Sequence, residues 1–322
     1  MNAPFPDRQP KSNLRMVLLA IFCILLWGSA IPCIKLSYPL FGIENGTTFD
    51  KIFFAGIRFT GAGILTLALS LSIKGGSRQL QSRHILPAIG LGLVQTTAQY
   101  VCFYIGLSNS PGARSAILNT TSTFFIVFLA ALFFRSEKVT IRKLTGSLIG
   151  FLGILFVNLS GDIGSRFTWD GDFLIILASL GFAVGSIISK KLSQSENPFL
   201  LTGFQLLFGG CVLIAIGLCG GGHLPVVLPA GIGLLAYLIV LSAVAFSIWT
   251  YLLRDHDAAL VSVYFFLLPI FGVVLSGIFL KERIFTFHNL AALLFVCTGI
   301  FIVNSGSKKQ RIQAPEHPTT IH

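Results

Sequence analysis

Apolar positions arrive in long uninterrupted runs divided by short polar segments. The first runs from Met16 to about Tyr38, and nine more follow at about 52–73, 85–107, 113–134, 142–159, 172–190, 199–219, 230–253, 258–280 and 287–304. At ~1.5 Å per residue, runs of this length suit ~30 Å of hydrocarbon once tilt is allowed. The pattern predicts an all-α integral membrane protein with ten transmembrane helices. The first run exceeds the ~7–15-residue apolar core of a signal peptide, so it reads as an uncleaved span. Before it, residues 1–15 hold Pro4, Pro6 and Pro10 among Arg8, Lys11 and Arg15, a polar tail too short to pack.

The pattern also repeats. The charged turn that holds Glu137 and ends at Thr140 returns as the turn that holds Glu282, an offset of 145, and ends at Thr286, with one extra residue in the turn. The closing stretch from Gly153 to Asn158 returns from Gly299 to Asn304, at 146. Phe182 to Lys190 falls on Trp27 to Lys35, which pairs Lys190 with Lys35. Each copy therefore holds five helices, an odd number, so the second copy enters the membrane upside down. The expected organisation is a cytoplasmic tail (1–15), a first repeat (16–159), an outer loop (160–171), a second, inverted repeat (172–304) and a second cytoplasmic tail (305–322). Inverted repeats suit alternating access, because two oppositely packed halves can rock about a central site.

Composition excludes a soluble domain: 54% of residues are hydrophobic, 11% are charged and the mean hydropathy is +0.82. The net charge of +11 does not mark a nucleic-acid surface, since the basic residues sit in short loops instead of one patch. Their distribution sets an orientation. Sixteen of them (Arg8, Lys11, Arg15, Lys74, Arg78, Arg83, Arg135, Lys138, Arg142, Lys143, Lys190, Lys191, Arg254, Lys308, Lys309 and Arg311) fall on the side of the N-terminus. Five (Lys51, Arg114, Arg166, Lys281 and Arg283) fall on the other, so both termini are expected inside. The six cysteines lie in apolar runs with no Cys-x-x-Cys spacing, so neither a metal nor another cofactor is expected.

Trp27-Gly-Ser-Ala-Ile-Pro32-Cys-Ile-Lys35, the Arg58-Phe59 pair and the two Glu turns together resemble the EamA-type branch of the drug/metabolite transporter superfamily, over about residues 16–304. The resemblance implies a bacterial inner-membrane carrier of ten helices in two inverted halves, often an exporter of amino acids or other small metabolites. It also implies that helices 1, 3, 4, 6, 8 and 9 surround the cavity while 5 and 10 join the halves. One departure stands out. Relatives commonly place a proline in the middle of helix 4, where this chain has Phe124, although helix 9 keeps Pro269.

Polar residues inside spans mark the candidate site, because hydrocarbon penalises an unpaired polar group. Gln95 and Gln99 share a face of helix 3, and Ser115, Asn119 and Thr123 repeat at the same spacing along helix 4. The plain alternative is that these side chains glue helices together, at ~0.6 kcal/mol each on average. Lys35, Gln95, Gln99, Asn119, Thr123, Trp249 and Tyr264 are the expected substrate-binding residues, Lys35 also being placed to snorkel. Trp27, Pro32, Arg58, Glu137, Pro269 and Glu282 are expected to be structural or gating. Arg58 lies two turns inside helix 2, with Glu44 and Asp50 as the nearest candidate partners. Gly146, Gly150 and Gly153 give helix 5 a small-residue face suited to a contact between halves.

These features describe a carrier whose partners are a small-molecule substrate and the lipid bilayer, with a monomer expected. The rival class, a membrane-embedded enzyme acting on a lipid-linked substrate, would need convergent His, Asp, Glu or Cys within one leaflet. The spans hold no such cluster.

Overall fold

The computed structural model describes residues 13–72, 81–134, 140–159 and 167–280, with isolated positions between 291 and 302. Among them every regular element is helical. In chain order these are α1 (Asn13–Leu40), α2 (Thr48–Ser72), α3 (Ser82–Asn109), α4 in two pieces (Gly112–Asn119 and Ser122–Phe133) and α5 (Ile141–Leu159). Then come α6 (Trp169–Ser193), α7 (Pro198–Cys219), α8 (Pro229–Asp255) and α9, in which Ala258–Ser262 passes through a 3-10 turn, Val263–Leu267, into Leu268–Leu280. Each of the first nine expected spans has its helical counterpart. The tenth falls largely outside the described residues, as do Glu137 and Glu282.

Six of these helices, α1 to α3 and α6 to α8, are long and apolar enough on their own to cross a membrane. Their outer faces are also apolar, as a lipid solvent requires. On α1, Leu14, Leu18, Phe22 and Leu25 are exposed while Ile24, Trp27, Ile31 and Ile34 are buried.

The two repeats meet along α2 and α7, the most extensively packed pair of helices. Glycines make the approach possible. A methyl group at Gly63 would overlap the backbone of Leu207, and one at Gly210 would overlap the backbone nitrogen of Thr60. Gly56 and Gly203 occupy the same positions one heptad earlier. The expected small-residue contact of helix 5 also exists, with Gly299 seated against the backbone of Gly146 and Gly150.

Duplication is visible in the polar ties. Lys35 donates to the carbonyl of Ser110, just past the end of α3, at 2.9 Å. Its counterpart Lys190 donates to the carbonyls of Leu253 and His256 at the end of α8. Each ammonium meets the negative end of a helix dipole. Across the repeats, the Asp50 carboxylate accepts from the backbone of His223, while Glu196 lies 2.6 Å from the ring of His84. Arg58 donates to Ser242 on α8 at 2.9 Å, and the Gln205 amide approaches Thr96 on α3 at 3.5 Å. Ser242 and Thr96 are themselves repeat-related positions.

Helices α4 and α9 both lose α-geometry at about the same depth, for different chemical reasons. In α9, Pro269 has no N–H for the Phe265 carbonyl, and the N–H of Leu268 donates there instead, the i→i+3 pattern of a 3-10 turn. In α4, Thr121 and Ser122 turn their hydroxyls back to the carbonyls of Leu118 and Asn119 at 2.8 Å each. These bonds compete with the helical ladder. A threonine-threonine-serine run thus does at Thr120–Ser122 what a proline does in the other half. Pro32 produces no such break, and α1 runs straight through it.

Candidate functional site

A small cavity lies where α1, α2, α3, α4, α6 and α9 converge, drawing on both repeats. Its wall is made by Trp27, Ala30, Ile31, Ile34, Arg58, Gln99, Tyr100, Phe103, Asn119, Phe182 and Phe265. The free volume is about 30 Å³, room for water but far below the ~300–1,000 Å³ of ordinary ligand sites, so this conformation is contracted.

Beside the Tyr100 phenol, the wall is polar at four places. Arg58 is 1% exposed, its Nε donating to Ser242 and its Nη1 to the Tyr104 hydroxyl at 3.3 Å, with its guanidinium 4.8 Å from the centre of the Phe59 ring. Two of five N–H donors are thereby engaged. Among the described residues no carboxylate pairs with it. The expectation of Glu44 or Asp50 as its partner is not met, because Asp50 accepts from Thr47 and His223 at the start of α2. Gln99 leaves its carboxamide oxygen, and Trp27 its indole N–H, buried without a hydrogen-bond partner among the described residues. Asn119 is the fourth, with its Oδ1 accepting from Ser179 at 3.2 Å.

Aromatic rings close one end. Trp27 has Phe265 at 5.3 Å, Phe246 and Trp249 at 5.4 Å and Phe182 at 5.5 Å, mostly edge to face. Such pairs contribute ~0.5–1.5 kcal/mol each beyond area burial, so the plug is well ordered.

Of the expected substrate-binding residues, Gln99 and Asn119 reach this wall. Gln95 does not: α3 passes through a π-turn over Leu93–Ala98, and its amide lies against Gly185 and approaches Ser186. Trp249 donates to the same Ser186 hydroxyl at 3.1 Å and stands behind Trp27. Thr123 donates to the carbonyl of Ser262 at 3.0 Å, tying α4 to α9, and Tyr264 is buried away from the lining. Lys35 is held at Ser110, outside the wall. Gly28 faces Phe271 and Gly272 where α1 crosses α9.

Sequence reasoning missed Tyr100 and Phe103, although Phe103 lies one helical turn after Gln99 on the same face. It also missed a buried ion pair between the repeats. Arg114 Nη2 lies 2.7 Å from Asp172 Oδ2, and Asp172 also accepts from Ser110 Oγ at 2.7 Å and from the backbone of Thr168 at 3.0 Å. Lys35 and Asp172 thus hold Ser110 by its carbonyl and its hydroxyl.

The EamA-like transporter family model matches twice along the sequence, over residues 14–159 and 169–305. The chain belongs to the EamA-like transporter family. Among similar proteins is the uncharacterized transporter YvbV of Bacillus subtilis, 27% identical over 93% of this chain and 95% of its own length. Another is the uncharacterized inner membrane transporter YedA of Escherichia coli, 29% identical over 80% of each chain. A solved crystal structure superposes with a TM-score of 0.72 over 94% of this chain and 100% of its own, at 18% identity, a likeness of fold. The EamA chain described here is therefore a multi-pass membrane protein whose relatives are named as transporters.

Proposed function

We propose that this EamA protein is a secondary transporter that exports a small polar metabolite, amino acids or related compounds, by alternating access across the bacterial inner membrane. The observation that carries the reading is the cavity between the repeats, where Gln99 and Trp27 keep buried polar atoms without partners among the described residues. Such groups are costly unless something binds them. The site lies on elements from both halves, so rocking one half against the other would widen it and expose it to each side in turn.

Metabolite profiles of medium from overexpressing and deletion strains, followed by uptake into inverted vesicles, test the transport. Gln99→Ala and Asn119→Ala should raise the apparent Kd several-fold while the yield of folded protein stays nearly normal, since an interhelical bond contributes only ~0.6 kcal/mol on average. Unchanged affinity in both would remove them from the site. Both termini are expected in the cytoplasm, so a reporter fused after Ser307 should be active inside and silent outside. The reverse result would overturn the orientation.

A further inference from the structure

We propose that Arg58 is the docking point for a substrate carboxylate, so that the solute is a small monocarboxylate with a hydrogen-bond donor beside the acid group, an α-ammonium or an α-hydroxyl. This rests on the transporter reading above and names the substrate class of the same cavity. The pseudo-symmetry of the fold separates what Arg58 does for the structure from what is left over. In the other repeat the equivalent position is Gln205, which makes the equivalent cross-repeat approach to Thr96 with a neutral amide. The tie from Arg58 to Ser242 therefore needs no charge. Yet the first repeat keeps a guanidinium, buried to 1% exposure, bordering the cavity and with no carboxylate beside it among the described residues. A buried cation is expensive without a counter-charge, and a planar fork of N–H donors matches a carboxylate.

The rest of the wall fits the same ligand. The Trp27 indole N–H is a further donor and Gln99 Oε1 an acceptor, both without a partner among the described residues, for an N–H or O–H beside the acid group. Ile31, Ile34, Phe103, Phe182 and Phe265 offer apolar surface for the remainder of the solute, beside Asn119 and Tyr100. A cation without an acid group would meet Arg58 with no carboxylate in the wall to offset the repulsion.

The test uses the full chain, purified in detergent, and its intrinsic fluorescence. Of its three tryptophans, Trp27 lines the cavity and Trp249 touches Trp27, while Trp169 is exposed elsewhere. L-Alanine, L-leucine and L-phenylalanine are each titrated against their amides. At least one acid should bind about tenfold or more tighter than its amide, the loss expected for a desolvated charge-assisted pair. In Arg58→Gln, which copies the opposite repeat and so should fold, that preference should largely vanish, while Arg58→Lys should keep part of it. Amides binding as well as acids, no acid quenching at tens of millimolar, or an undiminished preference in Arg58→Gln would each overturn the proposal. If Arg58→Gln yields no folded protein, the comparison of acids with amides on the unaltered chain decides alone. The transporter reading fails separately, if acids bind but proteoliposomes exchange none of them. An exported solute without a carboxylate would sink the role of Arg58 and leave transport standing.

Discussion

Gly63→Leu should yield no folded protein in detergent extracts of the membrane. At this position even a methyl group would overlap the backbone of Leu207, and backbone cannot rotate away as a side chain can. The cost therefore exceeds the ~1–3 kcal/mol of ordinary overpacking, because relief requires α2 and α7 to separate along the seam that joins the repeats. Gly210→Leu should fail in the same way, since its added atoms would enter the backbone of Thr60. The control is Gly233→Ala in α8, where nothing lies within 4 Å of the added carbon. A helical glycine replaced by alanine gains ~0.5–1 kcal/mol, so this variant should melt at or slightly above the parent temperature. Size-exclusion profiles and thermal melts of the three variants check the expectation. A monodisperse Gly63→Leu protein with a normal melting temperature would show that the seam is not what joins the halves.

Arg114→Met should destabilise the protein by about 3–5 kcal/mol, because it leaves the carboxylate of Asp172 buried with no counter-charge. The hydroxyl of Ser110 and the backbone of Thr168 would still donate to Asp172, but neither neutralises it. The double variant Arg114→Met with Asp172→Asn should recover most of the loss, since an amide keeps those hydrogen bonds without the charge. Thermal melts of the two single variants and the double variant form a cycle whose coupling energy isolates the pair. Additive losses would mean that the two side chains act independently. Because Arg114 belongs to α4 and Asp172 to α6, the pair fastens one repeat to the other at the end of the bundle that holds Lys35 and Ser110. The double variant should open that end more readily, read as faster labelling of a cysteine placed at Ile34.

The spans were legible because each is a long apolar run, and the duplication because Lys35 and Lys190 or the two Glu turns recur at nearly constant spacing. Depth along a helix was harder to read. The break in α4 has no proline to mark it, since hydroxyls of Thr121 and Ser122 compete for carbonyls there and leave only a weak compositional trace. Gln95 and Gln99 look equivalent at i and i+4, but α3 passes through a π-turn over Leu93–Ala98, and the first packs on Gly185 while the second reaches the cavity. The partner of Arg58 could not be found by proximity in sequence, since Ser242 is 184 residues away. The glycine seam was written plainly, with Gly56 and Gly63 in one copy and Gly203 and Gly210 in the other.

The lysine ties differ in kind from the other contacts. Lys35 reaches Ser110 and Lys190 reaches His256 without leaving their own halves, whereas Arg58, Asp50 and Glu196 all reach across. A fastening contained within one half would survive in a protein made of that half alone, inserted into the membrane in both directions and paired with its own inverted copy. The tie made by Arg58 and Gln205 needs two partners but not two different halves, since Ser242 and Thr96 stand at matching places in the two copies. Of these repeat-related ties, the one at Arg58 and Gln205 joins the halves by a guanidinium on one side and by a neutral amide on the other.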